Sequence, residues 1–168
     1  IYALSAQIGI VIEIPRRNIT LLALPVLSKA FKQDRLDEVE SLYKKTALVQ
    51  HIVGTGLLLI IWGSVTHIFK IIPNGANYEG GKYIILIIGL TKLFDMSMGC
   101  NREVILSSSF YLYNFFTSIM LSVLIIVFNL VFIPIMGIEG AAIASLLGTA
   151  VYNIISFGLV WYKLKILP

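Results

Sequence analysis

Residues Tyr111–Ile133 read YLYNFFTSIMLSVLIIVFNLVFI, a run without a single charged side chain. A bilayer's hydrocarbon core takes roughly 20 apolar residues to cross as a helix, and this run supplies them. Pro134 follows at once and predicts the helix end, because proline lacks an amide donor and its ring crowds the preceding turn. Four further stretches have comparable length: about Ile1 to Phe31, interrupted by Pro15 and Pro25, Thr46 to Phe69, Gly81 to Ser108, and Gly140 to Tyr162. The Gly81 stretch is long for a simple span and is expected to break near Gly99-Cys100-Asn101. The pattern predicts an all-α fold, a polytopic membrane helical bundle with about five transmembrane helices.

Composition agrees with the pattern. Of the residues, 58% are hydrophobic and 13% charged, with mean hydropathy +0.90. A soluble domain carries about 25% charged and 45–50% apolar residues, and a soluble core of this length has no room for the excess. The net charge of +4 comes with basic residues near the ends of the apolar blocks. That placement suits membrane lipid headgroups or an anionic substrate, and no nucleic-acid signature accompanies it. Cys100 is the only cysteine, so no disulfide framework exists. The chain opens on Ile1 without a basic leader and is expected to be one transmembrane domain, residues 1–168, cut from something larger.

The connection Lys32–Lys45 is the only substantial polar link. Asp34 is placed to cap a short amphipathic helix at the membrane surface, with Leu36, Val39, Leu42 and Tyr43 on its apolar side. Residues 73–80, PNGANYEG, have turn chemistry. With five spans, one side holds Lys29, Lys32, Arg35, Lys44, Lys45, Arg102, Lys163 and Lys165, and the other only Lys70 and Lys82. Basic residues accumulate on the cytoplasmic side of membrane proteins, which assigns the first set to the cytoplasm.

Charges inside the apolar stretches are the functional signal, because an ionisable group at membrane depth is costly and normally faces a protein interior or a water-filled path. At about 100° per residue, Gly9, Glu13, Arg16, Arg17 and Thr20 share one face of the first helix. Glu13 is spaced to pair with Arg16 or Arg17, and one acid cannot neutralise both, so the face stays cationic. Such a face, kinked at Pro15, suits a phosphate or diphosphate, since guanidinium donors match phosphate oxygens. The competing reading is that both arginines snorkel to headgroups. Lys92, Asp95, Gly99, Arg102 and Glu103 form a second stripe. Lys92 and Asp95 are spaced as an i,i+3 pair, which is either structural or a site for a coupling proton or cation.

Other features read as architecture. Gly140, Ala144 and Gly148 recur every fourth residue, the small-residue spacing that brings membrane helices close. His51 and His67 lie far apart near helix ends, and Gly80-Gly81-Lys82 lacks the rest of a phosphate loop. No nucleophile–base pair, metal cluster or cofactor motif is present in the sequence, so neither enzyme, metal nor cofactor is expected.

Three stretches together resemble the multidrug/oligosaccharidyl-lipid/polysaccharide (MOP) flippase superfamily, especially its polysaccharide biosynthesis (O-antigen-type) transporters. They are Tyr2-Ala3 with the proline-bearing helix ending Leu24-Pro25-Val26-Leu27-Ser28-Lys29-Ala30, the link Asp34…Asp37-Glu38-Val39…Leu42-Tyr43-Lys44-Lys45, and the run Asn129 to Ser145 containing Ile133-Pro134-Ile135-Met136-Gly137-Ile138-Glu139-Gly140-Ala141-Ala142. The resemblance implies a MATE-like two-lobe transporter in a bacterial inner membrane. This chain would be the second to sixth helices of the C-terminal lobe, and the remaining helices its structural partners. Alternating access would pass an undecaprenyl-diphosphate-linked glycan, a polysaccharide or lipopolysaccharide precursor. Arg16 and Arg17, with Glu13 and Thr20, would then hold the diphosphate, and Lys92, Asp95, Arg102 and Glu103 would line the cavity or couple an ion. A cation-coupled multidrug extruder of the same fold and a non-transporting membrane scaffold are the alternatives.

Overall fold

A computed structural model describes residues 2–72 and 80–167. Most of the predicted turn at 73–80 lies outside the described residues. The described chain folds into α1 (Tyr2–Lys32), α2 (Leu36–Ile71), α3 (Lys82–Ser97), α4 (Asn101–Ser107), α5 (Tyr111–Met136) and α6 (Ile138–Leu164). Among the described residues three helices, α2, α5 and α6, are long and apolar enough to cross a membrane, and α3 with α4, bent by 44° at their junction, reaches that length and apolarity only as a pair. The protein is an all-α membrane bundle. α1 has the length to cross, but Glu13, Arg16 and Arg17 sit at its middle and lower its apolarity.

The expected break in the third stretch occurs where the sequence placed it. Gly99 has φ +59, a conformation that costs other L-residues energy, and Ala47 of α2 lies so close that a Cβ on Gly99 would come within 2.9 Å of its amide nitrogen. The bend therefore needs a glycine for both torsion and space.

Three boundaries differ from expectation. The link helix does not lie apart on the membrane surface, because it is the start of the 36-residue α2, about 54 Å long at 1.5 Å per residue. Val39 and Tyr43, fully buried, pack into the bundle there, which is why the helix runs on without a break. Asp34 is not the cap of α2, whose N-cap is Arg35 without a side-chain bond. Asp34 instead adopts φ +54, and the Arg35 amide donates to the Ala30 carbonyl at 3.0 Å, the left-handed turn that closes a helix C-terminus. Pro134 does not end α5, which continues to Met136. A proline removes one amide donor, whereas Gly137, at φ +60, turns the chain away after donating to the Ile133 carbonyl.

α3 packs against α1, α2 and α6, while α5 rests on α6 and α4. One apolar cluster joins Ile12, Leu58, Val65, Ile85 and Met96. A second, towards the lysine-rich ends, joins Leu27, Val39, Tyr43, Val104 and Val160. Along α1, Glu13, Arg16 and Arg17 fall between Ile12 of the first cluster and Ala23 of the second, while Lys29 and Lys32 lie at its end. The polar groups thus form a belt along the bundle, flanked by the two apolar clusters.

Candidate functional site

The belt opens into a cavity of about 250 Å³ between α1, α3, α4, α5 and α6. α1 contributes Glu13 and Arg16, α3 contributes Thr91, Lys92 and Asp95, and α4 contributes Arg102. Ser118 and Leu121 of α5 and Thr149 and Tyr152 of α6 complete the wall.

The ion pairs run between helices. Arg16 Nη1 lies 3.2 Å from Asp95 Oδ2, with the two side chains 17% and 19% exposed. Lys92 Nζ lies 2.6 Å from Glu13 Oε2. Asn153 Nδ2 donates to Asp95 Oδ1 at 2.9 Å, so both carboxylate oxygens of Asp95 are engaged. The predicted Glu13 pairing with Arg16 or Arg17 along α1 does not form, nor does the Lys92–Asp95 pair along α3. Each helix presents an acid and a base to the other, and the facing helix offers each charge a partner in a partly desolvated seam. A same-helix pair would leave the neighbouring helix's charges unmatched there.

The predicted residues separate. Glu13, Arg16, Lys92, Asp95 and Arg102 come together around the cavity. Arg17 does not: it is exposed on the outer side of α1, beside exposed Asn18. α1 meets α3 along a line through Gly9, where an added Cβ would come within 2.4 Å of Ile88, and this contact turns the Arg16 edge inward and the Arg17 edge outward. Thr20 is buried but donates to the Arg17 carbonyl of its own helix at 3.1 Å, and it is absent from the cavity wall. Glu103 also lies off the wall, because it is one residue, or about 100°, round α4 from Arg102.

Sequence reading missed Asn153, Tyr152, Ser118 and Thr91. A usable signal existed for one of them. Ser145, Thr149 and Asn153 recur every fourth residue along α6, a polar stripe beside the small-residue stripe. Gly140 and Gly148 of that small-residue stripe face α5, with added Cβ atoms meeting the Phe132 carbonyl oxygen at 2.2 Å and Ile125 Cγ1 at 2.8 Å.

Counting formal charges on the wall, Arg16, Lys92 and Arg102 are positive and Glu13 and Asp95 negative, a surplus of one positive charge. Arg102 has no carboxylate within ion-pair distance among the described residues. The site is smaller than the roughly 300–1,000 Å³ clefts that enclose whole small-molecule ligands. It has room for a compact charged group and none for a chain of sugars. Compared with known proteins, the chain matches no family model, no curated protein and no solved structure.

Proposed function

We propose that this bundle is part of a flippase for lipid-linked oligosaccharide, working by alternating access in a bacterial inner membrane. The observation that carries the reading is the mid-bundle cavity with three cations against two carboxylates. A diphosphate is a compact anion that guanidinium donors bind through paired hydrogen bonds. Arg16 is the first contact for it and Arg102, without an ion-pair partner, the second. The glycan extends from the cavity mouth into a cleft completed by the remaining helices of the full-length chain. The lipid tail stays in the bilayer beside the bundle, and the resemblance to polysaccharide transporters points to an undecaprenyl-type tail.

The cation-coupled extruder reading calls for an acid free to take up the coupling ion. Asp95 is held by Arg16 and Asn153, and Glu13 by Lys92, so both acids are already committed. A pure scaffold gains nothing from five charges kept at this depth, given their cost in a membrane interior. The test is Arg16→Ala in the full-length protein, scored by surface glycan display at unchanged expression. Loss of display supports transport through this cavity, and normal display rejects it.

A further inference from the structure

A second cavity, of about 490 Å³, lies at the lysine-rich end of the bundle between the α1–α2 turn and the α4–α5 turn. Its wall includes Lys32, Asp34, Ser109, Phe110, Tyr111 and Leu164. Two of these carry opposite charge. Among the described residues, neither Lys32 nor Asp34 forms an ion pair, and neither side chain makes a hydrogen bond. The Asp34 carboxylate is released from capping because the residue serves α1 through its backbone. Ser109 presents a hydroxyl with no partner among the described residues, whereas its neighbour Ser108 spends its own on Ile105 and Phe110.

Lys163, next to Leu164 of the groove wall, is turned to neighbouring rings. Lys163 Nζ sits over the rings of Phe110, Tyr113 and Tyr162 at 5.4, 5.9 and 5.5 Å, a cation–π arrangement that holds the ammonium against those rings. The groove itself thus offers one positive group, one negative group and a hydroxyl. Beside it Tyr111, Trp161 and Tyr162 are exposed, at 55%, 58% and 74%. Exposed tyrosine and tryptophan at the ends of membrane helices mark headgroup depth.

We propose that this groove binds a phospholipid with a phosphoethanolamine headgroup. Lys32 and the Ser109 hydroxyl donate to the phosphate, and Asp34 accepts from the primary ammonium. Leu164 and the Phe110 and Tyr111 rings lie against the glycerol and upper acyl carbons. Charge complementarity selects this lipid over its competitors. An anionic glycerol headgroup leaves Asp34 facing a negative ligand, and a choline headgroup has no N–H to give the carboxylate. The size of the groove falls in the range of pre-formed ligand clefts, about 300–1,000 Å³. The assignment is separate from transport, since its residues lie at the end of the bundle and none lines the central cavity.

The test uses the full-length protein purified in detergent and incubated with an equimolar mixture of phosphatidylethanolamine, phosphatidylcholine and phosphatidylglycerol of matched acyl chains. Retained lipids are counted by native mass spectrometry. The proposal expects at least threefold preferential retention of phosphatidylethanolamine. Lys32→Gln lowers its retention to the phosphatidylcholine level. Asp34→Asn, which keeps a residue tolerant of the left-handed turn, removes the preference over phosphatidylcholine and raises phosphatidylglycerol. Equal retention of the three lipids, a wild-type preference for phosphatidylglycerol, or unchanged selectivity in both variants overturns it. A soluble arm distinguishes the source of the headgroup: phosphoethanolamine in tenfold excess leaves the lipid bound. Full displacement in that arm makes the groove a small-molecule site and overturns the lipid assignment.

Discussion

The α5–α6 pair and the α1–α3 pair achieve close contact between helices by opposite means. α5 and α6 meet through Gly140 and Gly148, where an added Cβ would overlap Phe132 and Ile125, and no ion pair joins them among the described residues. α1 and α3 also approach at a glycine, Gly9 against Ile88, yet about one and two turns further on they carry two cross-helix ion pairs. Small-residue packing alone suffices to associate membrane helices. Since α5 and α6 associate without charge, the charges between α1 and α3 are surplus to association. On the proposed function, the anion bound in the cavity accounts for their cost at this depth.

Substitutions in the two helix pairs are expected to separate their roles. The largest effect is expected from Arg16→Ala, a loss of glycan translocation of at least tenfold with expression retained. Vesicle uptake of a labelled lipid-linked glycan measures it. A smaller, purely structural effect is expected at Gly140→Leu. The side chain meets backbone of α5, and overpacking of this kind typically costs about 1–3 kcal/mol, read as a lower unfolding temperature in detergent. Next comes Asp95→Asn, which keeps the shape and the Asn153 contact but leaves Arg16 without its acid. The cost is about 1–3 kcal/mol, below the roughly 3–5 kcal/mol of fully buried pairs, because both side chains are close to one-fifth exposed. The cavity gains positive charge, so diphosphate affinity rises while release slows. Arg17→Ala is expected to do least, within twofold of wild type in the same uptake assay, because Arg17 faces away from the cavity. Equal losses at Arg16 and Arg17 would erase the distinction between inner and outer faces.

Much of the architecture was legible beforehand. The charge-free run Tyr111–Ile133 marks a membrane helix by length alone, and Gly99 announces its bend because few other residues adopt that torsion. The small-residue stripe on α6 likewise states its packing role in its spacing. Helix ends were less legible. At Pro134 a local donor loss was outweighed by Gly137, and at Asp34 one residue type serves equally as the cap of a following helix or the turn that closes a preceding one. The site was legible as a list of charges and not as a set of pairs. Periodicity places Glu13, Arg16 and Arg17 within one arc of α1, and only the contact with α3 decides which edge of that arc turns inward. Partner choice is a tertiary property, so Lys92–Glu13 and Arg16–Asp95 cannot be read along one helix. Asn153 is legible only through its polar stripe with Ser145 and Thr149, a weaker signal than a charge because neutral polar side chains are common in membrane helix packing.

Solvent access to the central cavity tests the account most directly. In full-length protein with Cys100→Ala, single cysteines replace Thr149, on the cavity wall, and Leu130, exposed on α5. Each is titrated with membrane-impermeant methanethiosulfonates bearing a sulfonate or a trimethylammonium group. The account predicts that the Thr149 position reacts at least tenfold faster than the Leu130 position, and faster with the anionic reagent than with the cationic one. Equal, slow reaction at both positions, or preference for the cationic reagent at Thr149, would contradict a water-lined cavity with surplus positive charge.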